Sequence, residues 1–562
     1  MSYNKGVFMF IFALLIGIYS YLIFALGLAG LLYKDLIIWF TLLFWGLVIY
    51  WFGKDLIKII GQIRHIGQIK SKTLLFLILI VVLQAGINFI GALGPELAFD
   101  ALWYHLTIPK MYLENHSIYF IPGGLLYYSG MPKLGEMLYI GGLAFGNEII
   151  AKVIHFSFGL FTCFALYKIQ RKFLSPLISM IGVVIFYSNL VVAWESITAY
   201  VDLVRTFFEV MALWAFVNWL DERKRKWFVW SAIMVGLAIT TKLLAAGSLL
   251  IFTALIFYIL LDYRVRGNDK EKEADNTTFK ARTISIYLFI YWIIALIIPL
   301  PWFIFSYINT GNFVYPFFSE IYKIESEGLS ILGFFRDFWI LFMRSADPIS
   351  PVYMIFLPLI IWFFWCKRLR SSLISKFLNV VGIYSFISIV VWYFTPRTGG
   401  GRFILPYLPA FSIVCAATLN FLIGNKKKYG EQISKLLIIL IIFVSFISIA
   451  YRFAANSKYI FVLSGRETKQ MFLANHLNFA FGDFYDIDGY FKKNIKKEDK
   501  VLLIRFHNLY YVDFPFIDSS WLKAGDKFNL IATQNTVLSK KYEDLKLIYV
   551  NDKTMVKLYK RE

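Results

Sequence analysis

Carboxylates and one imidazole are grouped between two long apolar runs, in the segment Gly94-Pro-Glu-Leu-Ala-Phe-Asp-Ala-Leu-Trp-Tyr-His105. Gly94-Pro95 can begin a helix, because proline suits the first helical turn. Such a helix would place Glu96, Asp100 and Tyr104 on one face, at i, i+4 and i+8, beside His105. A partly buried carboxylate there could deprotonate a hydroxyl or an amine near neutral pH. The alternative is that Glu96 only caps the helix and that Asp100 is solvated.

A second acidic position lies at the start of a later apolar run, in Ala199-Tyr-Val-Asp-Leu-Val-Arg205. A charged group at the centre of a membrane helix costs about 2.5–3.5 kcal/mol on insertion scales, so such groups usually face a polar cavity. We therefore predict that Asp202 faces a polar site. The alternative is an i, i+3 ion pair between Asp202 and Arg205 near the membrane interface.

Three cations complete the set of candidate residues. Lys242 is the only cation in the apolar stretch 227–261, and Arg397 and Arg402 flank three consecutive glycines. Glycines let backbone amides approach an anion closely, and a guanidinium matches the geometry of a phosphate. These residues could therefore bind a phosphate. The alternatives are that Lys242 extends to the membrane interface and that the arginines lie in a flexible loop.

Apolar runs dominate the rest of the chain. Of its 562 residues, 59% are hydrophobic and 17% are charged, which lies outside the range of soluble domains. A membrane-spanning helix needs about 20 apolar residues. We predict about thirteen spans, near residues 7–28, 36–53, 73–92, 150–167, 177–193, 201–220, 227–241, 244–261, 283–306, 350–366, 377–394, 403–424 and 436–452.

The net charge of +21, from 57 lysines and arginines against 36 acids, is divided unevenly between the two sides of these spans. Alternate loops carry about +18, whereas the intervening segments 93–149 and 307–349 carry −3 and −2. The excess of cations in cytoplasmic loops predicts a cytoplasmic N-terminus and an extracytoplasmic C-terminus, in the plasma (cytoplasmic or inner) membrane. The charge therefore indicates orientation, and we expect no nucleic-acid partner.

After the last apolar run, short strand-like segments alternate with turn residues. Examples are Val501-Leu-Leu-Ile-Arg505 and Leu547-Ile-Tyr-Val550, with Gly525-Asp526 between them. Residues 456–562 are too rich in Phe, Tyr, Ile and Leu for a disordered tail. We predict a small α/β domain on the outer side of the membrane.

The segment Asp100-Ala-Leu-Trp-Tyr-His-Leu-Thr-Ile-Pro-Lys-Met-Tyr-Leu-Glu114 resembles the first outer loop of membrane glycosyltransferases of the GT-C superfamily. The resemblance is to the branch that includes protein O-mannosyltransferases and the lipid A aminoarabinose transferase. Later segments resemble further recurring segments of this branch in the same order: Ala199-Tyr-Val-Asp-Leu203, Gly236-Leu-Ala-Ile-Thr-Thr-Lys242, Thr310-Gly-Asn-Phe-Val-Tyr-Pro316 and Arg402-Phe-Ile-Leu-Pro-Tyr-Leu-Pro409.

The resemblance implies a polytopic α-helical membrane protein of GT-C type with a small C-terminal α/β extracytoplasmic domain. Two spans precede the run with which the family's core usually starts, and we treat them as an added hairpin. We therefore expect an N-terminal transmembrane hairpin and cytoplasmic loop at 1–72, a GT-C-like catalytic domain at 73–455 and the extracytoplasmic domain at 456–562.

The resemblance also implies an enzyme, a hexosyl- or pentosyltransferase. It would take a sugar from a polyprenyl-phosphate donor and pass it to a glycan, lipid or protein acceptor on the outer side, with membrane lipid as a further partner. Asp100 would be the general base, Asp202 a second catalytic acid, and Lys242 and Arg402 would hold the donor phosphate. The other candidate binding residues are Arg397, Tyr104, His105 and Glu96.

One departure from the family pattern bears on metal binding. Many relatives carry an Asp-Glu pair in the first loop, whereas Ala101 follows Asp100 here, so a paired-carboxylate metal site is not expected. Asp100, His105 and His116 could still assemble a site for a divalent metal, although no ligand spacing requires one. No other cofactor is predicted.

The competing hypothesis is a transporter or flippase of a lipid-linked glycan. It would share the outer cations and intramembrane charges, but it predicts two halves related by an inverted repeat. No such repeat is evident in the sequence.

Overall fold

A computed structural model describes residues 7–63, 71–266, 276–321, 330–344, 348–367, 373–395, 400–424, 428–539, 542 and 544–560. Helices form the first four-fifths of the chain. They are α1 (Val7–Leu28), α2 (Lys34–Ile63), α3 (Lys72–Leu93), α4 (Thr107–Glu114), α5 (Leu134–Ala144), α6 (Glu148–Gln170), α7 (Pro176–Tyr187), α8 (Leu190–Glu195), α9 (Asp202–Glu222), α10 (Arg225–Thr241), α11 (Gly247–Arg266), α12 (Asn276–Ile297), α13 (Leu300–Thr310), α14 (Ile331–Met343), α15 (Val352–Lys367), α16 (Leu373–Phe394), α17 (Leu408–Gly424) and α18 (Lys428–Asn456).

Among the described residues, nine helices are long and apolar enough to cross a membrane, or ten if the bent pair α12–α13 is one span. The protein is therefore an integral membrane protein, as predicted, whereas the count of thirteen spans stays a prediction. The run 177–193 is divided between α7 and α8, and the run 283–306 bends by 63° between α12 and α13. Pro299 and Pro301 lie at that bend, where they interrupt the helical hydrogen bonds.

Helix α9 is the central helix of the bundle. The apolar stretch of this helix that could cross the membrane is fully buried, and the helix packs against α6 and α10. A two-residue connection joins α9 to α10, so the two helices run antiparallel. The start of α9, at Asp202, therefore lies at the same end of the bundle as Lys242, which caps the end of α10.

The C-terminal segment folds into the small α/β domain that the sequence predicts. It comprises α19 (Lys458–Leu463), α20 (Lys469–His476), α21 (Tyr490–Asn494), β1 (Val501–Ile504), β2 (Phe516–Asp518), β3 (Leu530–Gln534), β4 (Lys546–Asn551) and β5 (Val556–Lys560). The strand order is β2-β1-β3-β5-β4. Strand β1 is parallel to β2 and to β3, and β5 is antiparallel to β3 and β4.

The α/β domain docks on the segment that carries Asp100. The Lys110 ammonium donates to the carbonyls of Tyr510 at 2.9 Å and Val512 at 2.8 Å, and it pairs with Asp513 at 2.6 Å. In addition, the Tyr511 hydroxyl donates to the carbonyl of Glu96 at 3.0 Å. The helical bundle and the C-terminal domain therefore share one polar interface beside the candidate acid.

We expect Lys110→Met to loosen this interface, because it leaves two carbonyls and a carboxylate without their shared donor. The backbone amides of residues 509–513 should exchange with deuterium about tenfold faster than in the unaltered protein. Hydrogen–deuterium exchange of the purified full chain measures this change. Lys523→Met, at an exposed lysine of the same domain, is the matched control and should leave exchange there unchanged. Equal exchange in both variants would contradict an anchoring role for Lys110.

Candidate functional site

The segment after α3 does not begin a helix at Gly94-Pro95, so that expectation is wrong. Residues 95–98 are non-helical, and a π-helical turn forms at Ala101–His105. The reason is the Glu96 carboxylate. Its Oε1 accepts the backbone N–H groups of Leu97 and Ala98 at 2.9 and 2.8 Å, and its Oε2 accepts that of Ala199 at 2.6 Å.

Glu96 is thus an anchor between the segment after α3 and the segment before α9, and its carboxylate is not part of the group around Asp100. Burial raises the pKa of Glu96, against the opposing effects of the nearby Lys152 and of the three backbone N–H donors. Of the three residues expected on one helical face, Glu96, Asp100 and Tyr104, only Asp100 and Tyr104 therefore lie together.

Asp100 forms an ion pair with Arg402. Arg402 Nη1 lies 2.6 Å from Asp100 Oδ2, and the Tyr104 hydroxyl donates to the same oxygen at 3.1 Å. The backbone N–H of Asp100 donates to the Tyr200 hydroxyl, also at 3.1 Å. The side chains of Asp100 and Arg402 are only 10% and 16% exposed, so this pair is largely shielded from water.

A second ion pair joins Asp202 and Lys242, with Lys242 Nζ 2.7 Å from Asp202 Oδ1. The two pairs belong to one site, because the Lys242 ammonium and the Arg402 guanidinium each lie 5.3 Å from the centre of the Phe403 ring. Burial lowers the pKa of Arg402, but the carboxylate of Asp100 outweighs this effect, with contributions from Tyr104 and Asp202, and holds that pKa above its ordinary value.

Three buried polar atoms around these ion pairs have no hydrogen-bond partner among the described residues: His105 Nε2, Asp202 Oδ2 and Arg402 Nε. Nearly all buried polar atoms in folded proteins are paired, so an unpaired group needs a specific explanation. Three such atoms beside two ion pairs are typical of a site that completes its hydrogen bonds with a ligand.

His105 lies at the edge of this group. Its Nδ1 is 2.8 Å from Glu136 Oε1, and its ring lies 4.2 Å from that of Tyr104, between centres. Burial lowers the pKa of His105, although Glu136 acts in the opposite direction. Lys133 lies 3.9 Å from the same Glu136 oxygen.

The sequence analysis assigned no role to Glu136, Lys133, Tyr200 or Phe403. One signal could have identified Glu136: it is the only charge on the otherwise apolar helix α5. The positions of Tyr200 and Phe403 carry no comparable signal, because aromatic residues make up 19% of the chain.

Of the two remaining candidate residues, only His116 falls within the described part of the chain, and it is not part of this group. Arg397 lies outside the described residues. His116 stacks on Tyr33 at 4.2 Å, and its Nδ1 lies 3.4 Å from the carbonyl of Leu32, so it packs against the N-terminal hairpin. Within the described part of the chain, no group of three or more His, Cys, Asp or Glu side chains is arranged to hold a metal.

Arg205 does not form the alternative i, i+3 ion pair with Asp202. It instead lies 3.4 Å from Glu209 Oε1 and donates to the Tyr407 hydroxyl at 2.9 Å. Ser248 donates to the same Glu209 oxygen at 2.6 Å. This buried network ties α9 to α11 and to the segment Leu405–Tyr407, which follows Arg402 along the chain.

Comparison with known proteins agrees with this architecture. The sequence model of a family described as dolichyl-phosphate-mannose-protein mannosyltransferase matches residues 143–297, which include Asp202 and Lys242. Among curated proteins, none has a sequence that matches this chain.

The matching family and the solved structures of ArnT belong to the GT-C superfamily, so the predicted resemblance is confirmed. The predicted class of fold, a helical membrane bundle with a small C-terminal α/β domain, is also confirmed, whereas the count of thirteen spans and the side of that domain stay predictions. Two solved structures with this fold are of ArnT from Cupriavidus metallidurans. The apo form is 13% identical over 87% of this chain and 98% of that chain, with a TM-score of 0.54. The form bound to undecaprenyl phosphate is 14% identical over 86% and 97%, with a TM-score of 0.53.

The buried network generates a prediction about stability. Glu209→Gln should lower the free energy of unfolding by about 3 kcal/mol, because it leaves the Arg205 guanidinium buried without its counter-charge. Glu431→Gln is the control, since Glu431 forms an i, i+4 pair with Lys435 in which both side chains are about 70% exposed. Unfolding in mixed micelles, titrated with a denaturing detergent, compares the two variants. A Glu209→Gln protein as stable as the control would refute the role of the network.

Proposed function

We propose that the protein is a glycosyltransferase that moves a sugar from a polyprenyl-phosphate donor to an acceptor on the extracytoplasmic face. The observation that carries this proposal is the pair of carboxylate–cation contacts, Asp100–Arg402 and Asp202–Lys242, grouped around one aromatic ring at one end of the bundle. Such a site contains both components of the reaction, a base for the acceptor and positive charge for the leaving phosphate.

The donor class is supported by chemistry and by comparison. A guanidinium and an ammonium in a largely dry site are suited to a phosphate. ArnT, which has the same fold, is seen with undecaprenyl phosphate, and the matching family is described by a dolichyl-phosphate-linked sugar. The side of the membrane is inferred from the loop charges: the site lies at the opposite end of α9 and α10 from the connection between these helices, and that connection is one of the alternate loops whose charges total about +18.

Donor binding would change the partner of Arg402. The two cations and two carboxylates of the site balance in charge, so an anionic phosphate must compete with the carboxylates. As the phosphate takes over Arg402, the Asp100 carboxylate is released from its counter-ion and becomes available to the acceptor. The Tyr104 hydroxyl, at 3.1 Å, would keep Asp100 oriented during this exchange.

The transfer step then follows. The acceptor oxygen forms a bond to the anomeric carbon of the sugar, its proton passes to Asp100, and the bond from that carbon to the phosphate oxygen breaks. The polyprenyl phosphate leaves with the electron pair, and Arg402 and Lys242 stabilise its added charge. Asp202 holds Lys242 in place through Oδ1, while Oδ2 can accept a hydrogen bond from a sugar hydroxyl.

We expect Asp100→Asn to lower sugar transfer at least about a hundredfold, because an amide cannot take the acceptor proton. Membranes that contain donor and acceptor, assayed for the sugar product by mass spectrometry, provide the measurement. Glu498→Gln removes an exposed acid of the C-terminal domain and should leave transfer unchanged. Undiminished transfer by Asp100→Asn would exclude Asp100 as the base.

A deletion strain separates the proposal from the transporter hypothesis. In a strain that lacks the protein, a transferase predicts membrane glycans without one sugar. A transporter or flippase predicts complete lipid-linked glycan that accumulates on the inner side, and that outcome would contradict the proposal.

A second prediction concerns the competition for Arg402. Asp100→Asn should bind undecaprenyl phosphate about tenfold more tightly than the unaltered protein, because the carboxylate no longer competes for the guanidinium. Arg402→Gln should bind it at least about tenfold more weakly. Both are measured with purified protein in nanodiscs and undecaprenyl phosphate as the probe. Equal affinities in all three proteins would show that the phosphate does not bind at this ion pair.

A further inference from the structure

A cavity of about 680 Å³ lies where the α/β domain meets the outer segment of the membrane bundle. Residues that directly follow the three parallel strands line it: Arg505 and His507 after β1, Ser519 and Ser520 after β2, and Asn535 after β3. Open α/β sheets bind their ligands in the crevice outside the carboxyl ends of such strands. We refer to this feature as the strand-end cavity.

The membrane bundle supplies the opposite wall of the strand-end cavity, through Gly124 and Leu125. The preceding residue, Gly123, has a φ of 87°, and a Cβ at this position would collide with the carbonyl of Ser520. Glycine is therefore required for the two walls to meet. A volume of about 680 Å³ lies within the range of about 300–1,000 Å³ that is typical of sites for small ligands.

One buried carboxylate of the cavity lacks a full set of hydrogen bonds. Asp518, at the end of β2, is 2% exposed, and its Oδ1 accepts the backbone N–H of Ser520 at 2.8 Å. Its Oδ2 has no hydrogen-bond partner among the described residues. Burial raises the pKa of Asp518 to about 6, so the group is mostly ionised at neutral pH and favours a ligand that donates hydrogen bonds.

The other lining groups narrow the class of ligand. The lining carries one cation, Arg505, and one buried acid, Asp518, so their charges nearly balance and give a phosphate or a nucleotide no net attraction. The hydroxyls of Ser519 and Ser520 and the amide of Asn535 both donate and accept hydrogen bonds. Phe481 adds a 70% exposed aromatic ring, on which the apolar face of a sugar can lie. The combination fits a neutral polyhydroxylated ring.

The strand-end cavity is close to the candidate base. The ring of His507, which lines the cavity, stacks on Phe99 at 4.7 Å and lies 4.4 Å from the ring of Trp103. Phe99 directly precedes Asp100, and the Trp103 indole donates to the carbonyl of the lining residue Leu125 at 2.8 Å. One layer of aromatic rings therefore separates the cavity from the segment of Asp100.

We propose that the strand-end cavity binds a sugar unit of the acceptor, so that the acceptor of the proposed transfer reaction is a glycan. The role of the bound sugar as part of the acceptor rests on the proposed function. The existence of a sugar site rests on the strand-end cavity alone. Asp518 would accept hydrogen bonds from the sugar hydroxyls, and the ring would point an adjoining hydroxyl of the glycan towards Asp100.

The test uses the purified full chain and a panel of methyl hexosides and N-acetylhexosaminides, without donor. We expect at least one of these saccharides to give saturation-transfer NMR signals, and Asp518→Asn to weaken its binding about tenfold. The asparagine has nearly the same shape and removes a buried charge, so this variant is expected to fold. Asp526→Asn, at a partly exposed acid that does not line the cavity, is the control and should bind as the unaltered protein does.

The transfer assay adds a kinetic measurement. With the glycan acceptor, Asp518→Asn should raise the acceptor KM about tenfold and leave kcat and the donor KM within about twofold. Saccharide binding equal in Asp518→Asn and Asp526→Asn would overturn the sugar site, and so would transfer to a peptide or lipid without sugar. Loss of transfer in Asp100→Asn would still support the proposed function in that case. Conversely, saccharide binding that depends on Asp518, in a protein without transfer activity, would support the cavity and contradict the proposed function.

Discussion

The ion pair between Asp100 and Arg402 joins two parts of the chain that are 302 residues apart, and the geometry of the site depends on it. Asp100 lies in the segment after α3, and Arg402 precedes α17. Charges that are removed from water must be paired, because an isolated buried charge costs several kcal/mol. The pair therefore fixes the end of the bundle at which both segments meet, and the ring of Phe403 links it to the Asp202–Lys242 pair.

The two cations of the site, Arg402 and Lys242, differ in the number and arrangement of their hydrogen-bond donors. Arg402 has several donors in a rigid fork, so it can hold a carboxylate through Nη1 while Nε remains unpaired. Lys242 is a point charge at the end of α10, and it is held by Asp202 on the neighbouring helix. Arg205 is a further buried cation of the bundle. It pairs with Glu209, so it does not compete with Lys242 for Asp202.

Much of this arrangement could be predicted from the sequence, wherever the cause is local. The i, i+4 spacing of Asp100 and Tyr104 predicts their contact, and the apolar runs with alternating loop charge predict a shared side for the candidate acids and cations. The helix expected from Gly94-Pro95 was wrong because the Glu96 carboxylate also binds the backbone N–H of the distant Ala199, a contact that spacing along the chain does not reveal, and residues 95–98 are non-helical. The same i, i+4 spacing relates Arg205 to Glu209 on one helix, so this pair could also have been predicted in place of the i, i+3 pair with Asp202.

Contacts between distant segments could not be predicted, because the sequence gives no distances between loops on the same side of a membrane. Glu136 illustrates this limit, since its role depends on His105 from a different segment. The same reasoning explains why the strand-end cavity had no sequence signal. Its residues follow three different strands, and its far wall belongs to the membrane bundle.

The position of the C-terminal domain gives that cavity its significance. Lys110 binds two carbonyls and a carboxylate of the domain, and Tyr511 binds the carbonyl of Glu96, so the domain is held against the segment that carries Asp100. A ligand bound at the ends of the parallel strands is therefore held at a fixed distance from the base. In the proposed transfer reaction, positioning of the reactants would supply much of the rate enhancement, so we propose that the domain contributes through the geometry of this interface.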